Sequence, residues 1–187
     1  MNKKEQNQLL QLARETICAA VTRQPLPLFE KPTAALCSHS GCFVTIKQQG
    51  QLRGCIGSFV ARQPLWQTVQ EMAVSAASRD PRFYPMKPDD LADFSLEISV
   101  LSPLQLIQSV DEIKVGIHGL YLIKGHNHGV LLPQVAVEYG WDRDTFLRQT
   151  CRKAGLPDEA WQKEAEIYIF SAEVFGDTSP ATAPALP

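Results

Sequence analysis

The chain has 187 residues, of which 44% are hydrophobic and 20% charged, and a formal net charge of −2. That length points to one domain, and the apolar share is enough to bury a core without disulfide staples. The near-neutral balance argues against a nucleic-acid partner, because a broad footprint on DNA or RNA needs a clearly basic face.

The first residues are "MNKKEQNQLLQLARETICAAV". The lysines resemble the start of a secretion signal, but Gln11, Arg14 and Glu15 interrupt what would be its apolar stretch. Leu9, Leu10, Ala13, Ile17, Ala20 and Val21 instead recur at spacings of three and four, which predicts an amphipathic helix ending near Gln24–Pro25. No run approaches the roughly 18 apolar residues of a membrane span. The expectation is a soluble, cytoplasmic protein with no membrane partner. "PLPLFEKPT" reads as an extended connector.

"CFVTIKQQGQLRGCIGSFV" predicts two strands around Gln49–Gly50, with Val44 and Ile46 alternating against Thr45 and Lys47. Pro64 opens a second helix as a first-turn proline, and Leu65, Val69, Met72, Ala73, Ala76 and Ala77 form its apolar stripe. The prolines of "SRDPRFYPMKPDD" stop it. In "DFSLEISVLSP", Phe94, Leu96, Ile98 and Val100 face one way and Ser95, Glu97 and Ser99 the other. "GIHGLYLIKGHNHGVLLP" predicts a second hairpin around Gly125 to Gly129. Pro133 starts a short helix through Val135, Ala136 and Tyr139, and "DRDTFLRQTCRKAGL" predicts another, capped by Asp142 and ended by Gly155. "EIYIFSAEVF" reads as one final strand. Hairpins without repeated strand–helix–strand alternation predict an α+β fold, a mostly antiparallel sheet with flanking helices.

An odd cysteine count (Cys18, Cys37, Cys42, Cys55 and Cys151) without an export signal favours reduced thiols over a disulfide framework. Cys18 and Cys151 fall in helical segments and read as small buried hydrophobes.

Six stretches taken together, "GCFVTIKQQGQLRGCIGS", "AASRDPRFYPM", "EISVLSP", "GIHGL", "LLPQVA" and "FLRQTCRKAGLP", resemble the AMMECR-type domain, known in bacteria and archaea as AmmeMemoRadiSam system protein A. The resemblance runs in order from about Leu9 to Phe175, and "LRGCIG" is its most specific piece. It implies a compact single domain with two lobes, covering residues 1–176, whereas the small residues and prolines of the last stretch, which departs from the family pattern, predict a disordered Pro/Ala-rich tail over 177–187. The resemblance also implies association with a Memo-like protein and a radical SAM enzyme, and it maps the family's signature cysteine onto Cys55. It implies no established reaction.

On a strand, Arg53, Cys55 and Gly57 share one face, and Leu52, Gly54 and Ile56 the other. Arg53 beside the thiol would favour thiolate, and Gly54 and Gly57 would let a ligand approach the backbone. The same residues also fit a tight strand with a buried cysteine and a salt-bridged arginine, and the glycines permit a bulge. Arg79, Asp80 and Arg82 form, with Arg53, a candidate anion site, or else an Arg79–Asp80 ion pair that fixes the loop. His118, between glycines in "GIHGL", is the candidate base for Cys55. His126 and His128 in "GHNHG" read as turn residues rather than metal ligands, and Cys37, His39 and Cys42 lack the spacing of a zinc knuckle. Phosphate-loop, dinucleotide and Gly-x-Ser-x-Gly motifs are absent, so neither cofactor nor metal is expected.

The leading expectation is a component that binds a small-molecule ligand or a partner through Arg53, Gly54, Cys55, Gly57, Arg79, Asp80 and Arg82. The alternatives are a cysteine-dependent enzyme with Cys55 as nucleophile and His118 as base, and a nucleic-acid-binding module using a local arginine patch.

Overall fold

In the computed structural model, which describes residues 1–30, 32–60 and 62–177, the first regular element is helix α1 (Lys3–Val21). Its start is a capping box. The Asn2 side chain accepts a hydrogen bond from the Glu5 N–H, and the Glu5 carboxylate accepts one from the Asn2 N–H, both at 2.9 Å. Leu9, Leu10, Ala13 and Ile17 are buried, as their spacing predicts.

Strands β1 (Cys42–Gln48) and β2 (Gln51–Ser58) pair antiparallel around Gln49 and Gly50. Both turn residues have positive φ, 51° and 77°, as a two-residue hairpin requires. The register shifts within the hairpin: Ile46 faces Gly54, but Lys47 faces Leu52, which leaves Arg53 as the extra residue of a β-bulge.

Helix α2 (Leu65–Ser78) buries Leu65, Val69, Met72, Ala73, Ala76 and Ala77. Pro64 is its N-cap rather than part of its first turn. The helix packs on β1 and β2, and at Gly54 the approach is so close that a Cβ would lie 2.2 Å from the Ala76 carbonyl oxygen. After a short turn at Pro88–Ala92 comes β3 (Ser95–Leu101), paired antiparallel with β1. Phe94, Leu96 and Ile98 are buried as expected, whereas Val100 is only half-buried and Ser99 is buried.

The predicted final strand is two strands in two sheets. β7 (Glu166–Phe170) belongs to the second sheet and β8 (Ala172–Gly176) to the first. The break falls at Ser171, whose N–H donates to the Ser102 hydroxyl and whose carbonyl accepts from the Ser102 N–H, each at 2.9 Å. With its main chain committed to Ser102, Ser171 continues neither ladder. The first sheet has the order β2-β1-β3-β8. The second is β4-β7-β5-β6 and includes the two-residue β4 (Gln105–Leu106), which carries too few residues for a periodic signal.

β5 (Gly119–Lys124) and β6 (Asn127–Leu131) form the second hairpin, and only Gly125 and His126 are its turn. His128 and Gly129, expected in the turn, lie in β6. Pro133 sits in the first turn of α3 (Pro133–Glu138). Asp142 caps α4 (Arg143–Lys153) by accepting from the Thr145 N–H at 2.8 Å, and Gly155 follows its end with φ 72°.

The chain divides into two compact units, one formed by Met1–Val100 together with the chain from Val174, the other by Leu101–Glu173. Each has its own apolar core, built around Ile17, Val44, Val69 and Ile98 in the first and Leu120, Leu122, Phe146 and Cys151 in the second. The fold is α+β, as expected. Asp177, placed above in the tail, is held by β3 and α1: its N–H donates to the Leu96 carbonyl at 3.0 Å, and its carboxylate accepts from the Leu96 N–H and the Arg14 guanidinium. The rest of the predicted tail, 178–187, lies outside the described residues. Among the described residues no helix is long and apolar enough to cross a membrane.

Candidate functional site

β2 is an edge strand, so half of its main-chain polar groups have no strand to meet. At Cys55 that lack is met by side chains. The Cys55 N–H donates to Asp80 Oδ2 at 2.8 Å, and its carbonyl accepts from Arg82 Nη2 at 3.2 Å. The main chain of Cys55 therefore points away from β1. Its pair with Thr45 is of the kind that exchanges no main-chain bonds and brings side chains closest. The Thr45 hydroxyl accordingly donates to Cys55 Sγ at 3.2 Å.

Asp80 and Arg82 make a two-pronged ion pair, with Arg82 Nε on Oδ1 at 2.9 Å and Nη2 on Oδ2 at 2.7 Å. The Asp80 side chain is 2% exposed and that of Arg82 54%. Hydrogen bonds from the Arg82 guanidinium hold the Asp80 carboxyl far below the usual carboxylate range, helped by the N–H groups of Cys55 and Arg82 and opposed by burial. The pairing expected between Arg79 and Asp80 is replaced by one between Asp80 and Arg82.

Arg53, at the bulge, meets Asp90 at 3.1 Å. Asp90 also accepts from the Lys87 N–H at 2.8 Å, and these bonds, the Lys87 one foremost, lower its pKa. The Arg53 charge is thus matched by a carboxylate. The expected alternation of faces holds from Gly54 to Gly57 and breaks at Arg53. Gly54 and Ile56 face α2 and the core, while Cys55 faces Thr45. The space the two glycines leave is filled from within: a Cβ on Gly54 meets Ala76, and one on Gly57 meets the Phe43 ring at 2.2 Å.

Arg79 is exposed and lines a groove along the outer face of α2, together with Trp66 and Glu71. His118 belongs to the second unit, where its Nδ1 accepts from the Lys114 N–H at 3.3 Å. His126 is a turn residue and His128 an exposed residue of β6. Cys37 is exposed, and Cys42 is buried, which pushes its thiol up to about 12. Among the described residues no group of three or more His, Cys, Asp or Glu side chains is placed to hold a metal ion.

Sequence reasoning missed Thr45, Asp90 and Glu97. Thr45 stands across from both Cys55 and Glu97, so the three residues form a row over three strands. Glu97 is paired with Lys47 at 2.9 Å. Counting outward from the Gln49–Gly50 turn places Thr45 opposite Gly54, and only the bulge moves it to Cys55. In chemical terms the row offers a half-buried thiol whose sulfur accepts a hydrogen bond from a neighbouring hydroxyl.

A family model described as AMMECR1 matches residues 10–175. The chain is 40% identical over 182 residues to Protein MK0488 of Methanopyrus kandleri, covering 92% of this chain and 88% of that one. It is 40% identical over 185 residues to Protein TK0174 of Thermococcus kodakarensis, covering 92% and 90%. Among solved structures, the crystal structure of an uncharacterised protein, PH0010, from Pyrococcus horikoshii is similar with a TM-score of 0.86 and 36% identity, over 96% of this chain and 95% of that one.

Proposed function

This chain belongs to the AMMECR1 family, and on that premise we propose that it is a binding component whose working surface is the edge of β2 from Arg53 to Gly57 with the Asp80–Arg82 brace. The observation that carries this reading is the buried Asp80 carboxylate. It ties the main chain of Cys55 to a loop that holds Arg82 half-exposed and Tyr84 89% exposed. Arginine and tyrosine are the side chains that most often anchor protein interfaces. The resemblance to AmmeMemoRadiSam proteins supplies the partners, a Memo-like protein and a radical SAM enzyme, beside which this chain acts. In purified mixtures with those two proteins, Tyr84→Ala is expected to weaken complex formation about 30-fold, as loss of an interface anchor does. Arg53→Ala and Cys55→Ser, each first shown to be folded, are expected to weaken it as well. If all three variants bind like the wild type in gel filtration and titration, this surface is wrong.

A second reading, Cys55 as a nucleophile, is favoured by the Thr45 hydroxyl at 3.2 Å from Sγ. It predicts that Cys55 is alkylated by iodoacetamide at neutral pH faster than the other four cysteines, as peptide mass spectrometry after labelling of the folded protein would record. Labelling of Cys55 no faster than that of exposed Cys37 removes this reading.

A further inference from the structure

We propose that the groove along the outer face of α2 is a separate ligand site, for an elongated small molecule with an apolar body and a carboxylate or phosphate at one end. The inner stripe of α2 is spent on the core, and its outer face carries Gln67, Gln70 and Val74 at spacings of three and four. Gln70 Nε2 donates to the Pro27 carbonyl at 2.9 Å, which fixes the extended connector alongside the helix and makes Leu26 the facing wall. Between them lies a cavity of about 460 Å³, a size that suits a small molecule. Trp66 forms its apolar end and is itself steadied by Phe29, with ring centroids 5.7 Å apart.

Arg79, the C-cap of α2, supplies the charge. Arg53 and Arg82 are each held by a carboxylate, but Arg79 has no ion pair among the described residues, so its planar fork is free for a bidentate anion. Glu71, on the same wall, is anionic and accepts from Gln63 Nε2 at 2.8 Å. It repels a second negative group, which orients the ligand with its anion at Arg79 and its body toward Trp66. Neither Cys55 nor Asp80 lines this groove, so the site goes beyond the reading of the β2 edge.

The probe is phenylbutyrate, compared with its uncharged amide, titrated into the isotope-labelled full chain while the Trp66 indole N–H signal is followed by NMR. That signal is identified by its loss in Trp66→Phe. The expected result is a saturable shift with the acid, an affinity about tenfold lower for the amide, and a similar loss for the acid in Arg79→Gln, the scale of one charge-assisted hydrogen bond. Arg53→Ala is expected to leave the titration unchanged, so failure of the β2-edge reading does not touch this one. Absence of a saturable shift, equal binding of acid and amide, indifference to Arg79→Gln, or a loss in Arg53→Ala would each overturn the proposal.

Discussion

Gly54→Ala is expected to lower the stability of the protein by about 3 kcal/mol, the upper range for forcing atoms into a packed interior. The new Cβ would lie 2.2 Å from the Ala76 carbonyl oxygen and 3.2 Å from its carbon. Both are main-chain atoms of α2, so no side-chain rotation relieves the clash. The helix cannot retreat alone, because Leu65, Val69, Met72 and Ala73 anchor it in the core. Urea unfolding should show a lower midpoint at an unchanged slope, the signature of lost stability without a change in exposed surface. Adding Ala76→Gly should not rescue the variant, since the obstructing atom is the carbonyl and not the methyl. A rescue, or a loss below about 1 kcal/mol, would mean that the strand and helix separate more easily than this packing implies.

Asp80→Ala ranks next, at about 2 kcal/mol, less than for a fully buried ion pair because Arg82 is half-exposed and can turn to water. The substitution strands the Cys55 N–H at the edge of the sheet and frees the guanidinium that braces the Cys55 carbonyl. Combining it with Arg82→Leu should cost less than the sum of the two single changes, because both remove the same bonds. The pH dependence has a definite sign. The Asp80 carboxyl is depressed in the folded state, so its contribution is complete above the ordinary aspartate range near about pH 4 and fades as the pH falls below it. The gap between wild type and Asp80→Ala should therefore narrow on acidification, as urea midpoints at neutral and acid pH would record. A gap of constant size into the acid range would count against the ion pair as the source of the effect.

Periodicity was enough to place the helices and hairpins, because Leu9–Ile17, Val44–Ile46 and Leu65–Ala77 each repeat the pattern that their packing needs. The elements that escaped it are those decided by contacts far along the chain. β4 is two residues long, and Ser171 looks like any other strand residue until Ser102 takes its main-chain groups. The candidate site divides in the same way. The residues of "LRGCIG" and "SRDPRF" were legible as a group, and the structure joins Cys55 to Asp80 and Arg82. Their pairing was not legible. Arg53 reaches Asp90 rather than the thiol because a bulge turns it, and no local signal in "QGQLRG" separates a bulge from regular alternation. The same bulge hid Thr45, whose hydroxyl meets the sulfur only because the register slips by one residue.

The split at Ser171 also sets a schedule for the nascent chain. Three strands of the first sheet are made before residue 102, but the fourth, β8, and the Asp177 that bonds Leu96 emerge only after all of Leu101–Glu173 has been synthesised. Until then β3 presents a bare edge, a template for pairing with other chains. The second unit is contiguous and has no such wait. During vectorial synthesis, the half of the molecule that begins first is the half that must finish last.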